Sequence, residues 1–560
     1  MRISRRRALA ALGALTAAPA LAASAAPEAP AGPTFDHGVA SGDPLSDRVI
    51  LWTRVSGLNA PQDITWQVSR DDSFRQIVAQ GTVTTDAGRD YTVKVDAAGL
   101  TPDTSYLYRF LAGNVASPVG HTRTLPLKAD RLVLAVVSCS LHPNGYFNAY
   151  RAIADLPEVA AVIHLGDYIY EYGAGVTDYG MGNGRVLLRI PEPPHEVVTL
   201  ADYRTRHAQY KRDQDLQAAH ARAPWICVFD DHEICNNPWR DGAENHNPDK
   251  GEGDWATRKA SALKAYGEWM PIRDAAPGQL REAIYRSFRF GDLAELVMLE
   301  SRLLARSKQL DYQTDLTYAA DGTPDFAAFR EKLNDPAREM LGAGQRDWLK
   351  TTLQASVEAG VRWQILGNQV LIARTNGPDL VRVFGADKIK DVLAMLPDAA
   401  RTKAQTFIGL FSGPDPLPWN LDAWDGYPAE RERLYDIIKS AGARTVIVSG
   451  DSHCAWANQL CDATGAPAAA EIGVTAISSP TRWLDAWLPD LHLAQAFADQ
   501  NAEVLAADDA YNGFVRLTLT HQDMQAEWMM VSTLTSRDFT CFSHRRFTAD
   551  VAPGAPILKA

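Results

Sequence analysis

Ala160-Ala161-Val162-Ile163-His164-Leu165-Gly166-Asp167-Tyr168-Ile169-Tyr170 is the stretch on which the fold turns. An apolar run from Ala160 to Leu165 stops abruptly at a glycine and a carboxylate. Four more runs end the same way. Leu132 to Val137 hands over to Ser138-Cys139-Ser140, and Trp225 to Phe229 to Asp230-Asp231-His232-Glu233. Val361 to Leu366 hands over to Gly367-Asn368-Gln369, and Thr445 to Val448 to Ser449-Gly450-Asp451-Ser452-His453. Short continuous apolar runs predict buried strands. Helical stretches at 200–222, 254–270, 345–359 and 428–441 lie between them, and strand–helix alternation predicts an α/β fold. In such folds the working crevice lies at the carboxyl ends of the strands, where these side chains fall.

The 560 residues exceed one typical core, so two or more domains are expected. Upstream, short β-type runs at 48–55, 64–68, 77–85, 91–95 and 105–112 are spaced as in a small sandwich occupying residues 35–125. Leu100-Thr101-Pro102-Asp103-Thr104-Ser105-Tyr106-Leu107-Tyr108 matches the tyrosine corner of fibronectin III-like sandwiches. Residues 130–535 are then expected to form the larger α/β domain, closed by a hairpin at Gly513–Thr520 and 524–533, and residues 536–560 to be a C-terminal tail.

Residues 1–25 carry Arg5-Arg6-Arg7, an Ala/Leu-rich run and Ala23-Ser24-Ala25. That is a signal peptide pattern, and the arginines resemble a twin-arginine export signal. The apolar run is too short and too weakly apolar for a permanent membrane span. Ala/Pro-rich residues 26–34 are a linker. Removing residues 1–25 takes four arginines and no acid, and moves the net charge from −12 to −16. So acidic a chain, with no basic cluster, is poorly suited to nucleic acid. A periplasmic or secreted protein delivered by the twin-arginine machinery is expected. Six cysteines in this length do not make a disulfide scaffold, although Cys454 with Cys461, or Cys227 with Cys235, are possible pairs.

The strand-end residues have the chemistry of ion ligands. Asp167 is placed to bridge two metals, and a phenolate at Tyr170 suits a hard, oxidised ion such as Fe³⁺. Asp is also a common turn former. Asp231 offers hard oxygen, and His232 can donate a proton to a leaving oxygen; the plain alternative is a solvated acidic turn. Asp451 and His453, two apart, can face one site. Asn368 and Gln369 supply weak amide oxygens. Cys139 becomes a thiolate only if a metal lowers its pKa, and is otherwise a core residue.

In this order, Cys139, Gly166-Asp167-x-x-Tyr170, Asp231-His232-Glu233, Asn368-Gln369 and Gly450-Asp451-x-His453 resemble the metallophosphoesterases, specifically the alkaline phosphatase D family, related to purple acid phosphatases. Phe35-Asp36-His37-Gly38-Val39-Ala40-Ser41-Gly42-Asp43-Pro44, Leu51-Trp52-Thr53-Arg54, Asp202-Tyr203-Arg204 and Trp424-Asp425-Gly426-Tyr427-Pro428 extend the resemblance over nearly the whole chain beyond the signal. It implies a four-layer α/β/β/α catalytic domain behind the sandwich and a mixed site with iron and calcium. Fe³⁺ would sit on Cys139, Asp167 and Tyr170, with His453 adding to the ligands. Ca²⁺ would share Asp167 and be completed by Asp231, Asn368 or Gln369, and Asp451. His232 would protonate the leaving group or contact substrate. The implied activity is hydrolysis of phosphate monoesters, diesters or both. A phosphodiesterase or phospholipase, a silent envelope binding protein and a structural iron protein are the alternatives. Leu299-Glu300-Ser301-Arg302 stands where the family pattern is Leu-Asp-Thr-Arg, which leaves the role of the Glu300 acid open.

Overall fold

The structure is a computed structural model describing residues 32–320, 324–412, 416–481, 493–550 and 554–560. The signal peptide and most of the linker lie outside the described residues.

Two large sheets stack face to face. The first has ten strands in the order Leu558–Lys559, Cys541–Asp550, Asp523–Val531, Gly513–Thr520, Arg131–Val137, Ala161–His164, Trp225–Cys227, Val39–Gly42, Arg48–Arg54, Thr92–Ala98. The second has seven: Arg286–Phe290, Ala294–Met298, Trp363–Asn368, Thr445–Ser449, Pro467–Gly473, Ala455–Cys461, Val504–Asp508. The continuous apolar runs follow from coverage on both faces. Along the second sheet Ile365, Val446 and Val448 point into the core shared with Leu134, Val136 and Phe514 of the first. The intervening Leu366 and Ile447 point outward onto Leu349, Leu353, Leu434 and Ile438 of helices Gly342–Glu358 and Pro428–Ala441. Helices Asn148–Ala154 and Gln214–Arg222 cover the first sheet through Tyr150, Ile153, Leu216 and Ala219. The result is the α/β/β/α layering that the resemblance implies.

The sandwich shares a sheet with the catalytic unit. Strands Ile77–Thr85, Gln62–Ser69, Ser105–Ala112, Val115–Ala116 and Gly120–Arg123 form one leaf. The other leaf is the Val39–Gly42, Arg48–Arg54 and Thr92–Ala98 edge of the ten-stranded sheet. A small core of Val49, Leu51, Ile64, Val68, Tyr108 and Phe110 fills the space between them. The join is made where Gly42 pairs in parallel with Trp225. A Cβ at Gly42 would lie 2.1 Å from the Pro271 carbonyl, so only glycine permits that approach. The tyrosine corner is formed, with Tyr106 Oη accepting the Thr101 N–H at 2.9 Å.

Three expectations are corrected. The helical stretch 200–222 is two helices, Leu200–Lys211 and Gln214–Arg222, broken where Asp213 caps the second by accepting from Asp215 and Leu216 N–H. The expected C-terminal tail contains a strand, Cys541–Asp550, paired antiparallel with Asp523–Val531; its backbone thereby covers what would otherwise be an open edge. All six cysteines are free, so neither suggested disulfide is formed.

Candidate metal centre

The strands leave their sheets through strained turns. Cys139, Asp167, Asp451 and His453 have φ of 60°, 59°, 62° and 61°, in the left-handed region that costs a non-glycine residue about 1–3 kcal/mol. Gly166, at φ 111°, lies so close to the neighbouring strand exit that a Cβ would meet Asp230 Cβ at 2.3 Å. Dense hydrogen bonding holds these turns. The buried Glu233 carboxylate accepts from the N–H groups of Asp167 (2.9 Å), Tyr168 (2.6 Å) and Asp230 (2.9 Å). Ser140 N–H donates to the Asp167 carbonyl, and His164 Nδ1 accepts from Gly166 N–H at 3.2 Å. The strain buys a purpose: the side chains converge at the carboxyl ends of both sheets.

On one side of Asp167, ligand atoms of Cys139, Asp167 and His453 lie within 4.8 Å of one another. Tyr170 Oη donates to Asp167 Oδ2 at 2.8 Å and lies 3.2 Å from His453 Nε2. His453 Nδ1 is 3.0 Å from the Pro480 carbonyl, which can only accept. The ring therefore carries its proton on Nδ1 and turns the Nε2 lone pair toward Tyr170 and Asp167, the arrangement a metal-binding imidazole needs. Burial lowers the His453 pKa to about 4 and so keeps the ring neutral. Burial also pushes the Cys139 thiol and the Tyr170 phenol well above their ordinary values, so both ionise only beside a cation.

On the other side, ligand atoms of Asp167, Asp231 and His232 cluster within 4.8 Å, as do those of Asp230, Asp231 and Asp451. Arg302, fully buried, ties this side together. It donates to Asp230 (2.5 Å), Asp422 (2.5 Å) and Asp451 (2.9 Å) and lies 3.8 Å from Asp231. Asp231 Oδ2 accepts from Asn237 N–H at 3.0 Å, but its buried Oδ1 has no hydrogen-bond partner and only the Arg302 charge, 3.8 Å away, beside it. An orphaned carboxylate oxygen is expensive, and a cation is its natural complement. His232 stacks on Tyr170 with centroids 4.2 Å apart, and its Nδ1 is 2.7 Å from Glu171 Oε2. Burial opposes charge on this ring, but Asp231, Glu171 and Asp167 overcome it and raise its pKa well above the usual value. Asp167, Tyr179, Asp231, His232, Asp451 and His453 line one cavity of 570 Å³.

A model of the PhoD-like phosphatase family matches residues 134–528, and a model of the PhoD-like N-terminal domain matches residues 20–126. The chain belongs to the PhoD-like phosphatase family. It is 34% identical over 524 residues to alkaline phosphatase D of Bacillus subtilis (strain 168), covering 90% of this chain and 78% of that protein. The solved structure of PhoD superposes with a TM-score of 0.75 at 30% identity, covering 94% of this chain and 92% of that one. This PhoD-like chain is accordingly a phosphoric ester hydrolase. With the two ligand clusters, the relationship implies metal dependence.

Among the residues singled out from the sequence of this PhoD-like phosphatase, Cys139, Asp167, Tyr170, Asp231, His232, Asp451 and His453 converge. Asn368 and Gln369 are buried with their amides bonded elsewhere in the protein. Asn368 donates to the Val370 carbonyl and takes a long bond from Trp424 Nε1 at 3.4 Å. Gln369 accepts from Ser301 (2.6 Å) and donates to the Leu299 carbonyl (2.7 Å). A buried amide has its own donors and acceptors to satisfy, and both meet them within the protein. Glu300 also stays out of the site. Its buried carboxylate caps a turn by accepting from Arg302, Leu303 and Leu304 N–H, a task Asp or Glu can perform, and in doing so it positions Arg302. Sequence reasoning missed Arg302, Asp422, Glu171 and the roles of Asp230 and Glu233. Asp230 and Glu233 stood beside a strand end and Arg302 stood in the Leu299-Glu300-Ser301-Arg302 motif, but Asp422 carried no such signal.

Among the described residues, no helix is long and apolar enough to cross a membrane.

Proposed function

We propose that this hydrolase cleaves phosphate monoesters and diesters with Fe³⁺ held by Cys139, Asp167, Tyr170 and His453, and with Ca²⁺ held by Asp167, Asp231 and Asp451. The observation that carries the reading is that two ligand clusters of opposite character share Asp167. Thiol, phenol and neutral imidazole suit an oxidised transition metal; carboxylates suit calcium. When bound, such ions supply Lewis acidity, activating a water and offsetting phosphoryl charge.

The protein's own part is proton handling and orientation. Glu171 holds His232 through Nδ1, leaving Nε2–H as the transferable proton, and Asp231 and Asp167 keep the ring charged until a leaving alkoxide takes it. Arg302 fixes Asp230, Asp422 and Asp451 in one arrangement, so the cavity wall need not reorganise during the reaction. We also propose that residues 1–25 direct twin-arginine export to the periplasm or medium, on the strength of Arg5-Arg6-Arg7. Replacing Arg5 and Arg6 with Lys should then retain the protein in the cytoplasm, whereas undiminished export would refute the signal.

The enzymatic reading is tested by assaying an aryl phosphate and a bis-aryl phosphate after removal of calcium by a chelator selective over Fe³⁺. Activity on both should vanish and return with added calcium. Full activity in protein shown by metal analysis to be calcium-free would refute the calcium assignment.

A further inference from the structure

A second cavity, of 680 Å³, opens beside the metal-facing one, and the two share Asn237, Asn420 and Asp422 as a common wall. Its character is different. Trp239, Tyr312, Tyr318 and Trp419 supply four aromatic rings to its lining, with Leu310 and Leu421 between them. Tyr318 is 51% exposed, so its ring is open to a ligand entering the cavity. Tyr312 is fixed by its stack on Phe329, at 5.0 Å, and by its hydroxyl donating to the Pro418 carbonyl at 2.7 Å. Lys308 lies 5.3 Å over the Trp239 ring. Glu244 and Asp311 outnumber that one cation, Asp422 being already paired with Arg302 and Arg306, so the cavity disfavours a second anionic group. The buried Gln309 Oε1 on its wall has no hydrogen-bond partner.

We infer that this cavity is the subsite for the retained ester group of a phosphate diester, and that it selects a neutral, planar aromatic group. The inference rests on the diesterase reading above and on His232 as proton donor. The metal-facing cavity is lined by His232, Tyr179 and His453, and it meets the second cavity at Asn237, Asn420 and Asp422. A leaving group must reach His232. The retained group is then directed to the shared wall and across it onto the aromatic rings. In the reaction a water oxygen forms a bond to phosphorus, and the bond from phosphorus to the leaving oxygen breaks. The leaving oxygen takes the His232 proton, the water yields its proton to solvent, and the retained ester departs as a monoester. Stacking on such rings contributes about 1 kcal/mol or more beyond area burial.

The test compares phenyl p-nitrophenyl phosphate with methyl p-nitrophenyl phosphate, using p-nitrophenyl phosphate as the monoester reference, in the calcium-loaded enzyme. kcat/KM should favour the phenyl diester on the order of tenfold. Trp239→Ala and the surface variant Tyr318→Ala should erase that preference while leaving the monoester rate intact, and Trp239→Phe should restore most of it. Equal rates on both diesters, or a phenyl preference that survives Tyr318→Ala and Trp239→Ala, would overturn the subsite and leave the hydrolase reading standing. Loss of the monoester rate in Tyr318→Ala would also overturn it, by placing that ring in general catalysis. Failure on both diesters with the monoester turned over would overturn the diesterase reading together with the subsite.

Discussion

The two sides of Asp167 use one backbone device and opposite electrostatics. Both are built from strand exits in the left-handed region, Cys139 and His453 on one side and Asp451 on the other. The Cys139 side holds neutral donors, a thiol, a phenol and an imidazole, and contains no cation. The Asp231 side packs Asp230, Asp231, Asp422 and Asp451 around the guanidinium of Arg302, with Arg306 also reaching Asp422. Burial alone would protonate all the acids. Yet Asp231, beside His232 and Arg302, is held well below the usual carboxylate range, whereas Asp230 and Asp451 are raised by burial, Asp451 to about 6. One side therefore becomes charged only when it meets an ion, while the other already carries a charge at Asp231 and needs an ion to complete it.

The largest effect is expected at the residue common to both sides. Asp167→Asn should lower kcat by about a thousandfold or more and reduce both iron and calcium content in the purified protein. Loss of one metal alone, measured by elemental analysis, would break the comparison by showing that Asp167 serves a single side.

Arg302→Met should come next. It leaves several buried carboxylates unpaired and should cost about 3 kcal/mol of unfolding free energy in a denaturant titration. Arg302→Lys should recover little, because the fork that reaches three carboxylates at once is lost. Tyr170→Phe, on the neutral side, should cost about 1 kcal/mol, the worth of its hydrogen bond to Asp167. Equal destabilisation by the two changes would contradict the asymmetry.

Lys211 sharpens the point from outside the site. It is as buried as Arg302 but has His220 Nε2 at 3.0 Å and the faces of Trp52 and Tyr168 for company, with no carboxylate among the described residues bonded to it. Burial accordingly lowers its pKa to about 7, from 10.5 in the unfolded chain. Between those values the unfolded state holds more protons than the folded one, so stability rises with pH. The penalty is complete below about pH 7 and is relieved toward pH 10.5. Lys211→Met should raise stability at neutral pH by roughly 1–3 kcal/mol and flatten the slope of stability against pH over that range. An unchanged slope in thermal unfolding would show that Lys211 is not the group responsible.

How much of this was legible in the sequence depended on the range of the interaction. The strand ends at Cys139, Asp167, Asp231 and Asp451 showed because a buried parallel strand must be apolar along its whole length, and its exit then stands out. The tyrosine corner showed because its bond spans only Thr101 to Tyr106. Arg302 did not show. A lone arginine is a surface residue by default, and its partners Asp230, Asp422 and Asp451 lie 72, 120 and 149 residues away. The internal bonds of Asn368 and Gln369 were hidden for the same reason: a polar residue at a strand end looks like a ligand whether or not the protein satisfies it internally. Cys541–Asp550 was missed because it alternates polar and apolar residues with several charges, the habit of a strand near a sheet edge.

The central claim, an oxidised iron on the Cys139 side and calcium on the Asp231 side, is tested most directly by the visible absorption spectrum of the pure, active enzyme before and after selective removal of calcium. A phenolate and a thiolate bound to Fe³⁺ absorb visible light by charge transfer, so the account predicts a coloured protein. Its band should persist when calcium is stripped and activity is lost, and should bleach or shift in Tyr170→Phe. A colourless active enzyme, or a band indifferent to Tyr170→Phe, would contradict it.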